Sequence, residues 1–227
     1  MFSNVQVGSI VTLGFIFDLD GTIVDSTAHY RETWAELLRE FGAADDPELF
    51  LGRATRENFR LLLGNDVTEH EMEEYVARQA EIGKAKMRAK GVQAHDGVVE
   101  LIRDLKSRGV KLAIATAAER SNTEWTLQQL GIRDAFDAIV TDQDVARGKP
   151  APDVFVEALR RLDVDASHCA VMEDSATGVR AAKAAGLRAI AVLTTHSRRE
   201  LQNAGADRII ARATELNVDD VIQYLKG

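Results

Sequence analysis

The stretch Phe17-Asp18-Leu19-Asp20-Gly21-Thr22 decides how this sequence is read. An apolar, β-branched run over 11–17 leads straight into two carboxylates one residue apart, and Gly21 then allows a tight turn. A buried strand ending this way carries both acidic side chains at its tip. In isolation the same letters also describe an exposed Asp-rich turn, so the rest of the chain has to arbitrate.

Further along, short apolar runs recur, each stopping at polar residues. The pattern predicts strands over 110–115 ending at Thr116, over 138–140 before Thr141 and Asp142, and over 169–172 before Glu173 and Asp174. Two more runs follow at 189–193 and 208–211. Helical spacing fills the gaps at 98–107, 122–130, 152–162 and 177–185. Gly109, Gly131 and Gly186 serve as stop signals after three of these helices. Alternation of this kind implies an α/β fold: a Rossmann-like parallel sheet core with helices on both faces. Ligands bind such sheets at the carboxyl ends of the strands, where Asp18, Thr116, Asp142 and Asp174 all fall.

From 25 to 94 the strand rhythm stops and only helical periodicity remains, with Trp34, Leu37, Leu38 and Phe41 on one face. This predicts an inserted small α-helical cap over 25–94, with the core built from 1–24 and 95–227. An insertion at the mouth of a sheet is well placed to act as a lid. Trp34 is expected in the interior of the cap and His95 at its return to the core.

Composition narrows the partners. The 227 residues carry a formal charge of −8, which argues against a nucleic-acid footprint. No apolar run approaches the ~20 residues of a membrane span. The N-terminal residues have neither the basic region nor the cleavage site of a signal peptide. The single cysteine, Cys169, lies in an apolar run and is expected to be a buried structural thiol, in keeping with a reducing, cytoplasmic setting.

The polar strand ends, together with Lys149 in Gly148-Lys149-Pro150, form the set that a phosphoryl group requires. They supply a nucleophile, an acid, hydroxyl and N–H donors, one cation, and carboxylates for a hard metal. The four segments Asp18-Leu19-Asp20-Gly21-Thr22, Thr116, Lys149, and Glu173-Asp174-Ser175 with Gly178, in this order, resemble the haloacid dehalogenase superfamily. The likeness is greatest to its helical-cap subgroup of phosphoglycolate phosphatases, β-phosphoglucomutases and sugar-phosphate phosphatases.

That resemblance implies a phosphatase of small phosphorylated metabolites. Asp18 would be the nucleophile and Asp20 the acid and base. Thr116, the Ala117 N–H and Lys149 would bind phosphate. Asp18, Asp20 through its carbonyl, Glu173 and Asp174 would surround Mg2+. Dehalogenases and phosphonate-cleaving members lack an acid at the position of Asp20, so its presence points to phosphate esters.

In the cap, Arg53 and then Arg56 are the candidates for reaching the substrate, with Lys84 and Lys86 behind them. The mutases carry a cap histidine where this chain has Tyr30, and His29, one residue earlier, is turned by about 100° on a helix. Hydrolysis is therefore expected. A sugar-phosphate mutase and a non-catalytic phosphate-sensing or protein-binding module on the same fold are the alternatives.

Overall fold

In the computed structural model, which describes residues 11–44, 46–50, 55–64 and 66–227, six parallel strands form one sheet in the order β3-β2-β1-β4-β5-β6. They are β1 Gly14–Phe17, β2 Lys111–Thr116, β3 Ala138–Thr141, β4 Cys169–Glu173, β5 Arg188–Val192 and β6 Arg208–Ile210. Their side chains alternate between two apolar clusters, one on each face. Phe15, Phe17, Leu112, Ile114 and Met172 face one way, and Ile16, Ala113, Ala115, Cys169 and Val171 face the other. Burial on both faces is why each strand reads as a continuous apolar run. The first strand starts later than expected: its pairing with β2 begins at Gly14, and Val11 is exposed.

Helices α1 Thr27–Glu40, α2 Thr55–Leu63 and α3 Glu69–Lys90 lie between β1 and the rest of the core. Trp34, Leu37, Leu38, Phe50, Phe59, Met72 and Ile82 build a third apolar cluster there, with Trp34 stacked on Phe50. A capping box between Thr68 and Glu71 starts α3.

The chain leaves and re-enters the core through adjacent segments. Val24 bridges to Ala94, Asp25 N–H donates to the Gln93 carbonyl, and His95 N–H donates to that of Ile23. Where α3 passes the core, Lys84 contacts Glu119 and Arg88 lies over the Trp125 ring.

Helices α4 Val98–Ser107, α5 Arg120–Gln129, α6 Asp153–Leu162 and α7 Ala176–Ala184 correspond to the four predicted in the core. Helices α8 Arg198–Ala204 and α9 Val218–Lys226 were not expected. Each nevertheless carries a start signal, a Ser197–Glu200 capping box in one case and an Asn217 cap in the other. Cys169 is fully buried, and burial pushes its thiol up to about 12, so it is inert as a nucleophile.

Candidate active site

The sheet order reverses at β1. The chain runs outward through β2 and β3 on one side and through β4, β5 and β6 on the other. A crevice at such a switch point is where parallel sheets bind ligands. Asp18 sits there, just past β1, between the tips of β2 and β4. A cavity of about 250 Å3 opens at this point, lined by Asp18, Asp20, Thr116, Ala117, Ala118, Asp142, Lys149, Asp174, Ser175 and Thr177.

Lys149 is the hub. Its Nζ donates to Asp18 Oδ1 at 2.6 Å, to Glu173 Oε1 at 2.6 Å and to the Ala115 carbonyl at 3.0 Å. Burial opposes its charge, but Asp18 and Glu173 outweigh that and hold the ammonium above its ordinary pKa.

Glu173 is fully buried. Its Oε2 accepts from the Asp174 N–H at 3.1 Å, the Ser175 N–H at 3.0 Å and the Ser175 hydroxyl at 2.9 Å. Gly178 makes room for this carboxylate, since a Cβ there would lie 1.7 Å from Glu173 Oε1.

Asp174 is oriented by two hydroxyls. Thr22 donates to Oδ1 at 3.0 Å, and Thr195 donates to Oδ2. Gly21, at φ +80°, makes the turn predicted for it, and a side chain there would strike Asp174. Thr116 is buried, and its hydroxyl accepts from the Ala118 N–H at 3.0 Å, shaping the loop that carries Ala117.

The charges are out of balance. Oxygens of Asp18, Glu173 and Asp174 lie within 4.8 Å of one another, with Lys149 as the ammonium among them. Burial raises Asp18 well above the usual carboxylate range, with Lys149 opposing. Burial and Glu173 push Asp174 up to about 7. Three carboxylates facing one ammonium suit a divalent cation with hard oxygen ligands, and among the described residues no sulfur or imidazole ligand joins this cluster. Asp20 opens onto the cavity, and desolvation there raises its pKa while Lys149 opposes the rise. A raised carboxyl is suited to donating a proton.

The expected core residues thus come together, from segments as far apart as 18 and 174. The cap candidates among the described residues do not join them. Arg53 lies outside the described residues. Arg56 donates to Glu69 at 2.7 Å and is absent from the cavity lining. Lys84 and Lys86 are held by Glu119 at 2.5 Å and Glu36 at 2.6 Å. His29 is buried on α1 and also lies outside the lining. Trp34 is buried in the cap cluster, as expected. Sequence reasoning gave no role to Thr195, which orients Asp174 from beyond β5, and its only signal was its place two residues after an apolar run.

Residues 15–192 match the family model described as "Haloacid dehalogenase-like hydrolase". The chain belongs to this family. Among these hydrolases, its enzyme class is phosphoric monoester hydrolase. It is 33% identical over 204 residues to validoxylamine A 7'-phosphate phosphatase of Streptomyces hygroscopicus subsp. limoneus, covering 88% of this chain and 94% of the relative. It is 31% identical to fructose-1-phosphate phosphatase YqaB of Escherichia coli, covering 79% and 95%. Among solved structures, CbbY from Rhodobacter sphaeroides in complex with xylulose-(1,5)bisphosphate superposes with a TM-score of 0.75 at 31% identity, covering 91% and 97%. A haloacid dehalogenase-like hydrolase from Entamoeba histolytica shares the fold, with a TM-score of 0.83 at 24% identity over 95% and 100% of the two chains.

Proposed function

We propose that this enzyme is a magnesium-dependent phosphatase of a small phosphorylated metabolite of the sugar-phosphate kind, working through an aspartyl-phosphate on Asp18. The observation that carries the reading is the single cavity that holds Asp18, Asp20, Lys149 and Asp174 together. Asp18, the main-chain carbonyl of Asp20, and Asp174 would hold Mg2+. Bound there, the ion would offset the repulsion between a carboxylate and a phosphate dianion. Glu173, saturated by Lys149 and three donors, adds charge to the cluster and fixes Lys149 in place.

In the first step an Asp18 oxygen attacks phosphorus and the ester P–O bond breaks. The leaving oxygen takes the Asp20 proton. In the second step Asp20 takes a proton from water as the water oxygen attacks the phosphoryl group. Inorganic phosphate leaves and Asp18 is regenerated. Lys149 and the loop at Thr116 and Ala117 hold the phosphoryl oxygens. The α1–α3 insertion over 25–94 serves as the lid.

A panel of phosphomonoesters with Mg2+ tests this, read as phosphate release by the wild type and by Asp18→Asn. The variant is expected to lose at least ~1000-fold in kcat and all acid-stable phosphoryl labelling. Retained turnover in Asp18→Asn would sink the assignment, and so would isomerisation of a sugar phosphate with little phosphate release.

A further inference from the structure

We propose that Asp142 is a specificity-determining residue that turns the cavity mouth against a second anionic group, so that the substrate is a hydroxyl-rich monophosphate and not a bisphosphate. This rests on the phosphatase reading above.

Asp142 follows β3 and lines the same cavity as Asp18 and Lys149. Its neighbours are committed elsewhere. Asp144 accepts from the Thr141 N–H at 2.8 Å and from Arg161 at 2.9 Å. The Asp142 carboxylate has no ion pair or side-chain hydrogen bond among the described residues. It lies against the Lys149 loop, because a Cβ on Gly148 would come within 2.9 Å of Asp142 Oδ2.

The charge around it is one-sided. Lys149 is the sole cation among the described lining residues; it is hydrogen-bonded to Asp18 and Glu173, and its charge offsets that of Asp142 only in part. A phosphate undergoing transfer is served by that lysine and by the metal site. A second phosphate elsewhere on the substrate would meet Asp142 with no second cation among the described lining residues to offset it. Of the two hydroxyls that complete the wall, that of Ser175 is given to Glu173, which leaves Thr177. The Thr177 hydroxyl and the anionic acceptor on Asp142 match sugar or polyol hydroxyls, which both donate and accept. Like charges about 6 Å apart in a partly solvated mouth disfavour binding by about tenfold. The specificity differs from that suggested by the CbbY complex, whose ligand is a bisphosphate.

The test uses fructose 1-phosphate and fructose 1,6-bisphosphate as a matched pair, with the full chain and Mg2+. Wild type is expected to favour the monophosphate in kcat/KM by about tenfold or more. Asp142→Asn and Asp142→Ser, both neutral, should narrow that ratio about five- to tenfold, and added salt should narrow it for wild type alone. A ratio unmoved by both variants, or a wild-type preference for the bisphosphate, would overturn the proposal. Binding of both sugars to Asp18→Asn, measured by calorimetry, reads the same ratio without turnover. If wild type bound them with this discrimination but released no phosphate, the hydrolytic reading would fail while the role of Asp142 stood.

Discussion

The ammonium of Lys149 lies 2.6 Å from Oδ1 of Asp18, joining residues 131 positions apart in the chain. The same nitrogen reaches Glu173, so one cation stabilises both the Asp18 carboxylate and that of Glu173. Both partners are buried, and removing the cation would leave them uncompensated.

Lys149→Met is therefore expected to lose turnover and also about 3 kcal/mol of stability in the absence of metal. Chemical denaturation at pH 7 with and without Mg2+ checks this. The deficit should shrink when the ion is added, because ligand binding to the folded state is stabilising and the cluster has gained negative charge. A variant as stable as wild type under both conditions would show that Asp18 and Glu173 do not depend on the lysine.

In the proposed mechanism Asp20 is the acid of the first step, and desolvation at the cavity raises its carboxyl against the pull of Lys149. Activity in that step is expected to fall as pH rises through the raised value and the proton is lost. Asp20→Asn should lower kcat by about 100-fold or more and remove that limb from the pH–rate profile. An unchanged profile in the variant would assign the acid elsewhere.

Gly178→Ala should damage the site without replacing any polar group. The added methyl would fall 1.7 Å from Glu173 Oε1, forcing the buried carboxylate or the start of α7 to move. A loss of about 1–3 kcal/mol in stability, with a fall in kcat, is expected. Thermal melts and phosphate release measure the two effects, and a neutral substitution would mean that Glu173 has freedom it does not show.

Away from the site, Asp144 carries an acid-dependent part of the stability. Burial alone would raise its pKa, but the Thr141 N–H, Arg161, the Thr141 hydroxyl and Arg120 overcome that and hold it well below the usual range. A depressed carboxylate stabilises the fold above its unfolded pKa of about 3.9, and the contribution drains away as pH falls toward the folded value. Asp144→Asn should therefore cost about 1–2 kcal/mol at pH 7. The gap to wild type should narrow below about pH 4. Denaturation midpoints at pH 7, 4 and 3.5 decide it, and a gap that widened toward acid would reverse the sign of the argument.

The strands and the core site were legible because both follow from local pattern. A strand buried on both faces is a continuous apolar run, and a site at the strand tips consists of whatever polar residue ends each run. Asp18, Thr116, Glu173 and Asp174 could be found in this way. Thr195 could not. Its contact with Asp174 exists because β5 lies beside β4, a neighbour relation that spacing along the chain does not state. The cap resisted for a related reason. Which cation faces the cavity depends on how three helices rotate and pair, and Arg56 turns out to meet Glu69 on the following helix. Helices α8 and α9 are short, and their caps were their only strong signal.

The two segments that join the insertion to the core run side by side, bonded from Ile23 to His95 and from Asp25 to Gln93. Seen from the sheet, the whole helical unit is one enlarged β-α connection with a pinched neck, entered and left at the same point. Its internal packing can diverge, lengthen or be exchanged without altering the path of the chain through the sheet. In such an architecture, selectivity can be rewritten in one part of the gene while the chemistry is kept in another. The neck begins only a few residues after Asp20, so whatever replaces the insertion starts from the same strand tip that carries Asp18 and Asp20.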